Sequence, residues 1–344
     1  MPTQSDETTG LNVGVVGATG MVGEVFMEIL GTHQFPIKTL RPFASEKSEG
    51  LKVKAGGREW AVESLKPNCF DGLDLVFFSS GDDISREWAP KAVEAGAFAV
   101  DNSAAFRMNP NYPLVVPEVN AEALPPKTKP TIVANPNCST IQLVVALQAL
   151  KSFGLKEVRV ASYQSVSGAG KAGPEELLQQ TREQIQTGRI QSKPQTFAHE
   201  IAFNCVPHIG SFADNGFCTE ELKIINETKK IMSLPHLKVS AFTVRVPTLN
   251  AHSEAVWVTF DRAVTKNEIF AALESAPGLR FVAQNEAKDY PTARQVSGQD
   301  PVYVGRVHQD LEDPKTWLMW IVGDNILKGA ALNGLQIAQK LFLT

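Results

Sequence analysis

Apolar positions in this chain come in short runs set off by glycine and proline, and their spacing changes part-way along. Residues 11–16 form an apolar run that ends in glycine, and residues 21–30 carry apolar positions at helical intervals. A second run at 73–78 is followed by helical spacing over 84–94, and runs at 97–100 and 131–134 continue the alternation. Short, near-continuous apolar strands separated by helices predict a parallel, doubly wound α/β sheet covered on both faces. Beyond residue 135 the pattern differs. Residues 138–153 predict a long amphipathic helix, and the strands at 157–166, 239–246, 255–260 and 317–322 are longer and alternate more clearly. Alternation of that kind predicts an α+β domain with a mixed, largely antiparallel sheet, buried on one face. Helices are expected at 174–187, 266–275 and 326–342, and a polar loop at 189–199.

The expected organisation is therefore a flexible tail over 1–10, one domain over 11–135 completed by 326–344, and a second over 136–325. A length of 344 residues accommodates both cores. With 43% apolar and 20% charged residues, the composition is that of a soluble globular protein. A net charge of −4 gives no bulk attraction to nucleic acid or an anionic membrane. No apolar run approaches the roughly 20 residues that span a bilayer. The polar N-terminus lacks the basic and apolar regions of a signal peptide. Cys69, Cys138, Cys205 and Cys218 are scattered and form no disulfide framework. A reducing, cytoplasmic setting is expected.

Candidate chemistry concentrates in two places. Gly17, Ala18, Thr19, Gly20, Met21, Val22 and Gly23 lie between the first strand and the first helix. Glycines there permit a tight turn and bring backbone N–H groups close to a pyrophosphate at a helix N-terminus, as in a Rossmann-type dinucleotide site. After the expected second strand, 38–44, Ser45 and Lys47 suit a ribose 2′-phosphate, whereas Glu46 argues the other way and a solvated loop is the simpler reading. The second place is Asn135-Pro136-Asn137-Cys138-Ser139-Thr140, where a proline turn precedes helical spacing. This sets Cys138 at a helix N-terminus, where the dipole and nearby N–H groups favour the thiolate, with Ser139 or Thr140 as the expected N-cap. The other three cysteines read as structural. His33, His199, His208, His236 and His308 show no metal-binding spacing, so no metal is expected.

With these motifs, the segments 102–107 (NSAAFR), 163–170 (YQSVSGAG), 220–223 (EELK), 245–252 (RVPTLNAH) and 323–333 (GDNILKGAALN) resemble the aspartate-semialdehyde dehydrogenase family in order and approximate spacing. The resemblance runs from about residue 11 to the C-terminus. It implies Cys138 as nucleophile, His252 as acid/base and Gln164 as an orienting residue. It implies Glu220 for the substrate amino group, with Glu221 as a possible sharer, and Arg245 for the carboxylate. Lys223, Arg107 and Asn137 fall to the phosphate. For NADP it implies the glycine loop, Ser45, Lys47, Ser48, Ser80, Gly81, Ser167, Gly168, Asn325 and Asn333. One departure stands out: the family's loop commonly reads ASxRS, and Lys47 stands here where the arginine would be, keeping charge but not the planar fork.

The implied reaction is NADPH-dependent reduction of L-4-aspartyl phosphate to the 4-semialdehyde through a Cys138 thioester, with release of inorganic phosphate, in lysine, methionine, threonine and isoleucine biosynthesis. Backbone N–H groups at Asn137 and Cys138 are expected to face the oxyanion. A homodimer built through the second domain is implied. Two other readings are an N-acetyl-γ-glutamyl-phosphate reductase, whose acetylated nitrogen needs no Glu220, and a non-catalytic dinucleotide-binding regulator.

Overall fold

A computed structural model describes residues 10–343; the tail expected over 1–10 lies, apart from Gly10, outside the described residues. The chain divides into two compact units, residues up to 136 together with 330 onward, and residues 137–329.

The first unit is a parallel sheet. Its elements in order are β1 (Leu11–Val16), α1 (Met21–Thr32), β2 (Ile37–Ala44), β3 (Lys52–Ala55), β4 (Arg58–Ala61), β5 (Glu63–Ser64), β6 (Leu75–Phe78), α2 (Asp82–Glu94), β7 (Phe98–Asp101), α3 (Pro117–Asn120) and β8 (Ile132–Ala134). The sheet order is β5-β2-β1-β6-β7-β8, and every pairing in it is parallel. Strands β6 and β7 are buried along their whole length, which is why β6, and β7 as far as Val100, read as apolar runs. The strand order reverses between β1 and β6, the place where open α/β sheets leave a crevice at their carboxyl ends. The C-terminal helix, Leu332–Phe342, packs against this sheet, with Phe98 and Phe342 meeting edge to face. The hairpin β3–β4, turned by Gly56 and Gly57 at positive φ, was not anticipated from the sequence.

The second unit holds α4 (Cys138–Leu150), β9 (Leu155–Gln164), α5 (Ala172–Thr187), α6 (Thr219–Ile231), β10 (Lys238–Arg245), β11 (His252–Phe260), α7 (Lys266–Glu274), β12 (Leu279–Val282), α8 (Ala293–Val296), β13 (Val302–Gln309) and β14 (Thr316–Gly323). Its six-stranded sheet runs β10-β9-β11-β14-β13-β12. The β9–β11, β11–β14 and β13–β14 pairings are antiparallel; β9–β10 and β12–β13 are parallel. Alternation along β9 and β11 puts one face in the core and leaves the other open.

Three expectations need correction here. The helix at 138–153 is not amphipathic: α4 is buried on every side from Ser139 to Leu147 and gives way to a 3₁₀ turn after Leu150. The strand expected at 255–260 starts at His252, because three polar residues at its beginning are all buried. The last helix is interrupted, with a π-helical turn over Leu327–Ala331 before the regular helix begins.

Candidate functional site

Cys138 is the first residue of α4 and is partly exposed. The N-cap is Asn137, not Ser139 or Thr140. Its Oδ1 accepts the N–H groups of Ser139 at 3.0 Å and Thr140 at 3.2 Å. A cap precedes the first helical residue, so the two hydroxyl residues already lie too deep to serve. The rest of Asn137 is held by α6. Its backbone N–H donates to Glu227 Oε2 at 2.7 Å, and its Nδ2 donates to Glu220 Oε1 at 2.8 Å. Of the two N–H groups expected to face an oxyanion, that of Asn137 is therefore committed to Glu227.

Glu220 gathers several of the predicted side chains. Gln164 Nε2 donates to its Oε1 at 3.3 Å, and Lys223 Nζ lies 3.3 Å from its Oε2. Glu220 and Glu221 are only 6% and 5% exposed, so the acidic start of α6 is not a solvated helix face. The two glutamates divide cleanly. Glu221 accepts the N–H groups of Cys218 at 2.8 Å and Thr243 at 3.0 Å, which ties the start of α6 to β10. Glu220 faces Asn137, Gln164 and Lys223.

Arg245 ends β10 beside Gln164, its register partner on β9, and donates through Nη1 to the Ser165 carbonyl at 2.7 Å. Burial lowers its pKa, while Glu220 and Cys138 oppose the shift; a guanidinium keeps its charge regardless. His252 begins β11 and is fully buried. Burial first, and Arg245 second, hold its pKa well below the usual histidine value, so the ring is neutral. Its Nδ1 accepts the Ser165 N–H at 3.0 Å, which leaves the proton on Nε2. Among the described residues no group takes up that Nε2–H. Gly168 closes over the pair: a Cβ there would lie 2.7 Å from Arg245 Nη1 and 3.2 Å from His252 Nε2. Gly329 does the same for the nucleophile, since a Cβ on it would sit 2.9 Å from Cys138 Cβ. Cys138, Gln164, Glu220, Lys223, Arg245 and His252 thus belong to one unit. Ser165, Glu227 and Gly329 support them and were not singled out from the sequence, because serine, glutamate and glycine there carry no distinctive spacing.

Four further predicted residues sit in buried hydrogen-bond networks. Ser167 and Asn325 join Ser165 in a buried network, in which Asn325 Oδ1 accepts from both hydroxyls and from the Ala251 N–H. Asn333 is fully buried in the first unit and donates to the Val115 carbonyl and Asn135 Oδ1. Arg107, also in the first unit, donates to the carbonyls of Asn135 and Asn102.

The glycine loop follows β1 in the first unit. Gly17 adopts φ +84°, and a Cβ on Gly23 would lie 2.0 Å from the Gly17 carbonyl oxygen, so only glycine lets α1 approach this turn. Gly20 caps α1 without any side-chain cap hydrogen bond, which suits a helix N-terminus that cradles a phosphate. Gly81 begins α2 in the same manner, with Ser80 before it. Ser45 and Lys47 are exposed and Ser48 is half-buried on the turn after β2. The residues present fit a dinucleotide. Among the described residues, no cluster of three or more His, Cys, Asp or Glu side chains forms a metal site, and no helix is long and apolar enough to cross a membrane.

Comparison with known proteins gives a consistent result. Residues 12–125 match the model of the semialdehyde dehydrogenase NAD-binding domain, and residues 147–328 match that of the semialdehyde dehydrogenase dimerisation domain. The aspartate-semialdehyde dehydrogenase of Aquifex aeolicus is 44% identical over 96% of this chain and 98% of its own. That of Bacillus subtilis is 43% identical over 96% and 97%. The crystal structure of aspartate semialdehyde dehydrogenase II from Vibrio cholerae complexed with ASA superposes with a TM-score of 0.93 at 40% identity, covering 97% of this chain and 98% of the other.

Proposed function

This chain belongs to the aspartate-semialdehyde dehydrogenase family, and from that premise we propose that it reduces L-4-aspartyl phosphate to L-aspartate 4-semialdehyde with release of phosphate. The observation that carries the reading is the grouping, within one unit, of a cysteine at a helix N-terminus, a neutral buried histidine, and Arg245, Glu220 and Lys223. The substrate bears a carboxylate, an ammonium and a phosphate. Arg245, Glu220 and Lys223 match those charges in turn, with Arg107 a second cation for phosphate.

The Cys138 thiolate attacks the acyl carbon. The bond from that carbon to the phosphate oxygen breaks, inorganic phosphate leaves, and a thioester remains. NADPH, when bound, supplies a hydride to the thioester carbon. The oxygen on that carbon then re-forms its double bond, the carbon–sulfur bond breaks, and the aldehyde departs from the Cys138 thiolate, while His252 fills its acid role by donating a hydrogen bond from Nε2–H to the oxyanion and the departing sulfur and keeps its proton. Gln164, held by Glu220 and Ser162, orients the acyl group.

NADP is held by the glycine loop from Gly17 to Gly23, by Ser80 and Gly81, and by Ser45, Lys47 and Ser48 at the 2′-phosphate. Ser167, Gly168, Asn325 and Asn333 complete the assignment. The open face of the second unit's sheet supports a homodimer. The protein acts in the cytoplasm, in the route to lysine, methionine, threonine and isoleucine.

The test is phosphate-dependent reduction of NADP by L-aspartate 4-semialdehyde, run beside Cys138→Ala, with NAD in parallel. Phosphate-dependent activity that disappears in the variant supports substrate and nucleophile together. A folded wild type that binds cofactor yet turns over only N-acetyl-glutamate semialdehyde would reject the substrate. Equal rates with NAD would reject Lys47 as a 2′-phosphate ligand.

A further inference from the structure

The side chains assigned to catalysis lie in one row across the second sheet. Arg245 pairs with Gln164 between β10 and β9, and His252 pairs with Gly323 between β11 and β14. The next row on the same buried face runs Thr243, Ser162, Glu254, Ile321, and each of these is 0% exposed. Glu254 is thus a carboxyl sealed in the core two residues beyond His252. Neither of its oxygens has a hydrogen-bond partner of normal geometry.

Above this row lies α4, and Gln142 stands one helical turn beyond Cys138 on the same helix face. Its Oε1 rests against Gly323, where a Cβ would come within 2.8 Å. Its Nε2 has no partner either. Gln142 is close enough to Glu254 to pull the carboxyl's pKa down, against the larger upward push of burial. The charged or titratable groups on the surrounding elements include Cys138 on α4, His252 on β11, Arg245 on β10, Glu220, Glu221, Lys223, Glu227 and Lys230 on α6, and the buried Asp324 and Lys328 that follow β14. None forms an ion pair with Glu254. Arg245 is turned to the Ser165 carbonyl, and Glu221 and Glu227 each accept backbone N–H groups.

An isolated carboxylate in such a place is untenable, whereas a neutral acid and a carboxamide are complementary. The acid O–H donates to the amide oxygen, and the amide N–H donates to the acid carbonyl. We propose that Glu254, as a protonated acid, pairs with Gln142 and thereby locks β11 to α4, fixing the strand end that bears His252 against the helix end that bears Cys138. Glu254 is a positioning residue that touches no substrate. This role deepens the reaction proposed above and rests on it only for its kinetic part.

Two measurements test it, and they fail separately. The first is infrared difference spectroscopy at pH 7.5 between wild type and Glu254→Gln, which needs no substrate. A protonated-carboxyl C=O band in wild type, absent from the variant, is expected. Its absence from wild type overturns the neutral acid, whatever the enzyme's substrate proves to be. The second is the split of kcat from KM. Glu254→Leu keeps the volume and the apolar surroundings but cannot pair with Gln142. It is expected to lose at least tenfold in kcat with KM within twofold, while Glu254→Gln, which can pair amide to amide, recovers most of kcat. Equal kcat for Glu254→Leu and wild type overturns the positioning role.

Discussion

Ser165 donates its backbone N–H to His252 Nδ1 at 3.0 Å, and this bond decides which ring nitrogen holds the proton. The 3₁₀ turn Val166–Ala169 that follows Ser165 then brings Gly168 against the ring. A histidine presented in this way is neutral before substrate arrives and offers Nε2–H as a hydrogen-bond donor.

The sign of its pH effect follows. Burial and Arg245 lower the folded-state pKa of His252, so below pH 6.5 the unfolded chain binds a proton that the folded chain does not. Stability associated with this residue is present above pH 6.5 and is lost as pH falls through the window beneath it. His252→Gln removes that loss. Urea midpoints of wild type and variant between pH 7.5 and 5.5 should converge or cross as pH falls, by at most about 1.4 kcal/mol per pH unit. The variant's kcat should fall by about 10²–10⁴-fold. A stability difference that stays constant with pH would place the charged ring in the folded state.

Gly329 makes a second claim testable. Its missing side chain is what lets the π-helical turn lie against the nucleophile, 2.9 Å from a hypothetical Cβ to Cys138 Cβ. Gly329→Ala forces either that turn or the first turn of α4 to move. Overpacking of this kind costs about 1–3 kcal/mol, and displacement of a reacting group by about 1 Å costs on the order of 10²-fold in rate. Turnover and the iodoacetamide alkylation rate of Cys138 should both fall. Unchanged turnover in the folded variant would show that the contact is not tight enough to matter.

Much of this arrangement was legible beforehand, for identifiable reasons. Strands β6 and β7 are buried on both faces, so β6 is wholly apolar and β7 is apolar up to the buried Asp101 at its end. Cys138 follows a proline and precedes a long apolar stretch, which marks a helix start. What escaped notice is polar and buried. His252, Ser253 and Glu254 look like loop, yet they are the first three residues of β11 because the site they line is itself polar. The acidic start of α6 looks solvated, yet Glu220 and Glu227 are folded inward onto Asn137. Hydrophobic periodicity cannot register a face that is buried through hydrogen bonds. The glycine loop could be placed from its strand and helix neighbours, whereas Gly329 gained meaning only from its distance to Cys138.

Asn137 tests the coupling between cap and site. Asn137→Ala loses the cap and should cost about 1 kcal/mol. Asn137→Asp is more informative. It keeps an acceptor for Ser139 and Thr140 but sets a second carboxylate where Nδ2 now meets Glu220 at 2.8 Å. Two such carboxylates share a proton, so one folded-state pKa rises above its unfolded value. The stability of the variant relative to wild type should therefore be best at about pH 4 and below, where the unfolded carboxyls are protonated too, and decline as pH rises to the raised value. Urea denaturation across that range checks it. A relative stability that improved with pH would mean the two carboxylates do not meet.

The open face of the second sheet carries the last prediction. Phe242, Ala161, Ala255 and Trp320 form one row across β10, β9, β11 and β14, opposite the face that bears the site. Phe242 is 55% exposed and Tyr163 39%, with Tyr163 packed on Trp320 at 5.5 Å between ring centroids. An exposed apolar patch of this sort marks an interface, and the matched dimerisation-domain model covers these strands. In a two-fold dimer the same face serves both copies, so a single substitution enters the interface twice. Phe242→Asp places a charge on this row while Phe242 itself contributes little to the monomer's core. Sedimentation at micromolar concentration should give a dimer for wild type and a shift to monomer for the variant, with circular dichroism unchanged. A variant that stays dimeric would move the interface away from β10, and a monomeric wild type would remove the dimer altogether.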